Sequence, residues 1–282
     1  LGALWGLVEW LRSWLFTGFP WLILCQGLVP WPEAIQTLSL IGANGLAALL
    51  SAVAVWTFLG VQDKNWRPLA LALSVLALLW GYGSWQLAAH PLDAPGDEDN
   101  TLTVSLIQGN IDQNRKWDET YQLGTVERYT TLTNGAVQDY RPDLVIWPET
   151  ALPFYFQEAK LLSMMVRETA RLNEVNILTG APGYIFGDSE EELYVYNRAY
   201  LLDRRGLDSG FYDKEHLVPF SEYVPLKWLF FFVSKITHGE LDFSFGDNPG
   251  PLRLERAATD SRDANLALGT LICYEAIFSG EV

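Results

Sequence analysis

From Leu38 to Val61 the chain runs 24 residues without a charge, and the stretch from Pro68 to Ala89 is uncharged too. A helix needs about 20 apolar residues to cross a bilayer core. Two such stretches in succession read as membrane spans rather than as the core of a soluble domain. The segment Leu1 to Leu28 is apolar too and carries Trp5, Trp10, Trp14 and Trp21. Glu9, Arg12 and Pro20 interrupt it and leave its spans ambiguous. Lys64 and Arg67 sit between the two clear spans. Cytoplasmic loops collect Lys and Arg, which places residues 61–67 in the cytoplasm and everything after the second span on the opposite side.

Charge is segregated in the same way. Of 19 basic and 34 acidic residues, only Arg12, Lys64, Arg67 and Glu9, Glu33, Asp63 lie in residues 1–90, leaving 16 basic and 31 acidic residues for 91–282. A neutral membrane region therefore precedes an acidic, water-soluble one. The link His90 to Asn100, rich in Pro, Gly and Asp, marks the boundary. An acidic domain lacks the basic footprint that phosphate backbones need, so nucleic acid is excluded as a partner. The two cysteines, Cys25 and Cys273, lie in different surroundings and read as free thiols.

Beyond the link the pattern alternates. Residues 102–108, 143–149, 175–182, 197–203 and 266–273 read as strands, and 119–137 and 160–173 as helices. Gly and Pro are expected to close the third strand. Strands alternating with helices imply an α/β layer architecture around a central sheet.

Three places in this domain could carry chemistry. Glu149 follows the apolar run 144–147 and Pro148, so a buried strand delivers a carboxylate to its end. Lys214, Glu215, His216 and Glu222 share a loop that also holds Leu217, Val218, Phe220 and two prolines; such loops often line sites. Cys273 ends an apolar run, and Glu275 stands two residues later. It is either a buried filler or a nucleophile. A thiol attacks only as thiolate, so it needs a base or a cation. A carboxylate can be that base, and an ammonium can stabilise an oxyanion. Glu, Lys and Cys together suffice for acyl transfer.

The order "WPE", "YDKEHLVPFSEYVP", "ICYE" resembles the nitrilase superfamily. The membrane segments ahead of it narrow the likeness to the apolipoprotein N-acyltransferases, as do "LTVSLIQGNI", "KWDE" and "EWLRSWLFTGFPW". The resemblance implies an α-β-β-α sandwich over 91–282, preceded by transmembrane helices in 1–90. It implies Glu149 as general base, Lys214 as the oxyanion lysine and Cys273 as nucleophile, supported by Glu222, Tyr274 and Glu275, with Trp117 binding substrate. The reaction it implies moves an acyl chain from a phospholipid, through a cysteine thioester, to the N-terminal amine of diacylglyceryl-cysteine on an apolipoprotein, with no metal and no cofactor. The setting is the bacterial inner membrane, the chain multi-pass and monomeric, with its catalytic domain in the periplasm. The family has more sheet and a last helix after the cysteine and more helices at the start, so the chain reads as truncated and inactive alone.

One segment extends this reading. Trp228, Phe230, Phe231 and Phe232 cluster between Lys227 and Lys235, directly after Glu222. Aromatics flanked by lysines suit an arm lying at the membrane interface. The rival reading is a membrane-tethered nitrilase or amidase that hydrolyses carbon-nitrogen bonds, because both routes pass through a thioester.

Overall fold

The computed structural model describes residues 1–15, 18–91, 101–189, 192–226, 228, 242–247, 250–255 and 265–278. The chain divides into two compact units, Leu1–Glu98 with Ala276–Val282, and Asp99–Glu275. Phe230, Phe231, Phe232 and most of the link 90–100 lie outside the described residues.

The first unit is helical: α1 (Gly2–Arg12), the single turn α2 (Pro32–Ile35), α3 (Leu38–Gln62) and α4 (Trp66–Ala89). Both uninterrupted apolar stretches became helices long and apolar enough to cross a membrane, and only 17% of each apolar window is buried within the chain. A core helix of a water-soluble domain hides its apolar face; these expose Ile41, Phe58, Leu73, Leu78 and Trp85. Asn65 caps α4 by accepting the Arg67 N–H, which starts this helix two residues before Pro68. Within α3, Gly42 adopts φ +65°, a conformation that only glycine takes without strain, so the helix is kinked there. Among the described residues of the interrupted segment 1–28, no helix is long and apolar enough to cross a membrane. Its helix α1 stops at Arg12, whose guanidinium pairs with buried Glu9 at 2.6 Å.

In the second unit, five strands form one mixed sheet in chain order: β1 (Val104–Leu106), β2 (Leu144–Ile146), β3 (Asn176–Phe186), β4 (Leu193–Leu202) and β5 (Asp208–Asp213). The first three are parallel and the rest antiparallel. Helices α5 (Glu119–Tyr140) and α6 (Lys160–Asn173) make the two parallel crossovers. Asp118 caps α5 by accepting the Thr120 N–H at 2.9 Å. Leu162, Met165, Val166 and Ala170 recur at helical spacing along α6 and meet the sheet. Glu174, in the left-handed conformation, ends that helix.

Alternation along the strands sends Val145 and Ile177 to the helical layer, and Leu144 and Leu178 to the opposite face. There a second sheet, β6 (Leu252–Glu255) with β7 (Asn265–Leu268), packs through Leu252 and Leu254. Helices, sheet and second sheet are three layers of the expected α-β-β-α sandwich; a fourth is not among the described residues. Burying a side chain such as Val145 or Ile177 fully contributes about 1.5–3 kcal/mol.

Two expectations need correction. Gly180 and Pro182 do not close β3, which runs on to Phe186. Its pairing with β2 ends at Leu178, and proline is tolerated where a strand has one free edge. The run 266–273 is not one strand: β7 stops at Leu268, and Cys273 opens a single 3-10 turn through Ile277.

Trp147 locks the helical layer to the loop after β2. It is buried, stacks on Tyr129 at 5.0 Å between ring centres, and donates its indole N–H to Thr133 Oγ1 at 2.9 Å. Thr133→Val keeps the shape and orphans that donor. It should destabilise the domain by about 1–3 kcal/mol in denaturant unfolding; an unchanged midpoint would mean the indole finds another acceptor.

Candidate active site

Glu149 stands three residues past the end of β2, in a turn that lies on β3. Trp147 N–H donates to the Leu178 carbonyl at 2.8 Å, and Leu152 N–H to that of Gly180 at 3.0 Å. This approach needs glycine. A Cβ at Gly180 would fall 2.5 Å from the Thr150 nitrogen and 2.9 Å from the Glu149 Cα.

Lys214 follows β5 directly and is 1% exposed. Its Nζ lies 3.0 and 3.1 Å from the two carboxylate oxygens of Glu222 and 3.7 Å from Glu149 Oε1. Its backbone N–H donates to the Asn197 carbonyl, and its own carbonyl accepts from Gly246, both at 2.9 Å. Asn197, on β4, bridges the two acids: its Nδ2 donates to Glu149 Oε1 at 2.7 Å and to Glu222 Oε1 at 2.9 Å. Glu222 is held in turn by the Val218 N–H at 2.7 Å. A buried ammonium costs several kcal/mol unless it is paired and hydrogen-bonded, and this one has two carboxylates.

Cys273 completes the cluster. It takes φ +52°, a strained conformation for a residue with a side chain. Its thiol is exposed and lines the same cavity as Glu149. Burial and the charge of Glu149 push that thiol up, and Lys214 only partly offsets them. At rest the sulfur therefore holds its proton, and the neighbouring carboxylate is placed to remove it. A cavity of about 190 Å³ opens beside Cys273, Glu149 and Asn197, with Ile146, Leu178 and Leu271 among its walls.

Glu275 is wholly buried and ties the pieces together. Its carboxylate accepts from Tyr212 Oη at 2.9 Å, from the backbone N–H groups of Glu215 and His216 at 2.7 and 3.0 Å, and from Ile272 N–H at 2.7 Å. It thus fastens the loop after Lys214 to the turn that presents Cys273. Tyr274, buried beside Tyr223, has its hydroxyl pushed up to about 12 by desolvation. A thiol, a carboxylate against it and a locked ammonium can together attack an electrophilic carbonyl and stabilise its oxyanion.

The sequence comparison decides the lineage. The profile described as carbon-nitrogen hydrolase matches residues 103–282, and that of the apolipoprotein N-acyltransferase N-terminal domain matches residues 1–56. The chain belongs to the carbon-nitrogen hydrolase family. It is 36% identical to the apolipoprotein N-acyltransferase of Geobacter metallireducens (strain ATCC 53774 / DSM 7210 / GS-15), over 98% of this chain and 51% of that one. It is 33% identical to that of Rhizobium etli (strain CIAT 652), over 100% and 52%. The chain spans about half the length of these curated relatives. An amidase from Nesterenkonia sp. aligns over 55% of this chain and 51% of its own at 16% identity with a TM-score of 0.36, too low to add to the family match. The resemblance to apolipoprotein N-acyltransferases thus holds in both parts of the chain.

Of the residues singled out in the sequence of this carbon-nitrogen hydrolase relative, Glu149, Lys214, Glu222 and Cys273 converge, and Glu275 sits behind them. His216 joins through its backbone N–H. Trp117 is half-exposed; its neighbour Lys116 is the one that reaches the site, donating from Nζ to the Glu149 carbonyl at 3.4 Å. Trp228 is 76% exposed. Asn197 went unrecognised. The signal was an Asn-Arg pair in the middle of an otherwise apolar and aromatic strand, where polar groups are buried only with partners. Arg198 has its own partner, Asp213, at 2.5 and 2.7 Å.

Asn197→Asp tests the bridge. The swap preserves shape but replaces two donated hydrogen bonds with a third negative charge. Alkylation of Cys273 by iodoacetamide at neutral pH should slow at least tenfold, about 1.4 kcal/mol. A rate within twofold of the parent would show that the two acids need no bridge.

Proposed function

We propose that the protein transfers an acyl chain from a phospholipid to the N-terminal amine of diacylglyceryl-cysteine on a bacterial apolipoprotein. The observation that carries this reading is the convergence of Glu149 and Glu222 on the buried ammonium of Lys214, with Glu149 lining one cavity with the exposed Cys273. The names of the relatives and the match of residues 1–56 favour acyl transfer over hydrolysis.

In the first half-reaction Glu149 takes the thiol proton as sulfur attacks the ester carbonyl. Lys214 faces the oxyanion. Collapse breaks the ester bond, the proton passes from Glu149 to the leaving alkoxide, and a lysophospholipid departs. In the second half the amine attacks the thioester, Glu149 takes a proton from the nascent ammonium, and the carbon–sulfur bond breaks. The thiolate recovers its proton and the product is an amide. Glu222, bridged by Asn197, holds Lys214. Glu275 and Tyr274 hold the Cys273 turn, Trp117 contacts substrate, and the segment with Trp228 and Phe230 to Phe232 lies at the membrane interface and admits the lipid. Removing the lysine should lower the rate by about 10²–10³, as loss of one oxyanion-stabilising group does.

Membranes carrying the full-length protein, given radiolabelled phospholipid and no acceptor, should acquire label on Cys273. Neutral hydroxylamine should release it, Glu149→Gln should gain it slowly, and Cys273→Ala should never gain it. Transfer to a lipopeptide by Cys273→Ala at the parent rate would place the nucleophile elsewhere.

Charges at the turn between the two long helices support a setting. Lys64 lies between α3 and α4 and Arg67 in the first turn of α4, so we place that turn in the cytoplasm of a multi-pass, monomeric inner-membrane protein and the catalytic unit in the periplasm. Alkaline phosphatase fused after His90 should be active, as it is only outside the cytoplasm. A fusion active solely as a cytoplasmic reporter would invert the topology.

A further inference from the structure

We propose that Lys116 is a positioning residue for Glu149: the second cation that lets Glu149 and Glu222 remain ionised together. The inference rests on the reading of Glu149 as the base.

Lys214 lies 3.0 Å from Glu222 and 3.7 Å from Glu149, so one ammonium answers two carboxylates. Asn197 donates hydrogen bonds to both but brings no charge. Arg198, on the same strand, is neutralised by Asp213. The Cys273 thiol, protonated at rest, contributes nothing positive. Glu275, in the Cys273 turn, is turned to Tyr212 and three backbone N–H groups instead, so Glu149, Glu222 and Lys214 by themselves sum to one net negative charge. Like charges close together repel, and a further cation near Glu149 offsets that repulsion.

Lys116 is that cation. Its Nζ donates to the Glu149 backbone carbonyl at 3.4 Å, and its charge attracts the Glu149 carboxylate. It forms no ion pair with any carboxylate among the described residues, although burial disfavours its charge. Its place is fixed from both sides. Upstream, Asp112 accepts the Asn114 N–H at 3.0 Å, and its carbonyl accepts that of Arg115 at 3.0 Å. Downstream, Asp118 caps α5. A lysine held this way keeps an ammonium over the turn carrying Glu149.

The test is the pH dependence of Cys273 alkylation by iodoacetamide, which needs no knowledge of the lipid. Where Glu149 must be ionised to take the thiol proton, the rate falls on an acidic limb. In Lys116→Met that limb should move up by about one pH unit, since a lost cation makes the carboxylate easier to protonate. The loss is then about tenfold below the limb and shrinks as pH rises. Lys116→Arg should keep the parent limb. If Lys116→Met does not fold, Lys116→Gln, which keeps a donor for the carbonyl, is read instead. A limb that stays put, an equal loss at every pH, or an equal shift in Lys116→Arg overturns the proposal. Glu149→Gln should abolish the limb; if it survives there, the base is another group and the reading of Glu149 falls instead.

Discussion

A lysine ammonium can be buried only where carboxylates answer it, and Lys214 is the most demanding group in the second unit. Its solution organises the end of the sheet. Glu222 must fold back from the following loop, so Val218 donates to it at 2.7 Å. Glu149 must arrive from the far strand β2, so Gly180 gives up its side chain to let the turn in. Asn197 must face the same side from β4, so that one amide nitrogen serves both acids. Each arrangement removes freedom that a catalytic group would otherwise lose during reaction, which is the physical meaning of preorganisation.

Glu275 extends that order to the nucleophile. A wholly buried carboxylate with four donors is stable where it is and nowhere else nearby. Two of its donors belong to the residues after Lys214 and one to Ile272, so the lysine loop and the cysteine turn are fastened to a single anion. The left-handed backbone at Cys273 is strain that this fastening sustains. The thiol, two residues away, is thereby aimed at Glu149 rather than at the core.

Much of this was legible before folding. The two spans rested on the absence of charge, and α6 on helical spacing, so all three helices kept their expected extents to within two residues. Glu149 could be read because a buried strand ending in Trp-Pro-Glu has little reason to finish on a carboxylate. Strands β5 and β6 were missed: Asp208 to Asp213 opens and closes on aspartate, and Leu252 to Glu255 is too short to show a period. Their partners, β4 and β7, supply the pairing that local pattern does not. Asn197 and Lys116 were invisible for a similar reason. Their roles arise from pairings 48 and 33 positions apart, which no local window contains. The Cys273 turn was mistaken for strand because its apolar residues, Leu271 and Ile272, look alike in either setting.

The raised thiol imposes one further condition on the chemistry. Catalytic cysteines with depressed thiols wait as thiolates beside a cation. Here burial and the charge of Glu149 push the thiol up, so in the proposed mechanism Cys273 passes its proton to Glu149 as it attacks. In that mechanism Glu149 serves both half-reactions, first for the thiol proton and later for the proton of the incoming ammonium. Lys214 faces the oxyanion that this mechanism forms twice. A cluster that starts and finishes each half with the same charges reorganises little in between, and that is where preorganised electrostatics act most strongly. The close hold of Glu222 and Asn197 on Lys214 follows from that requirement as much as from the stability of the fold.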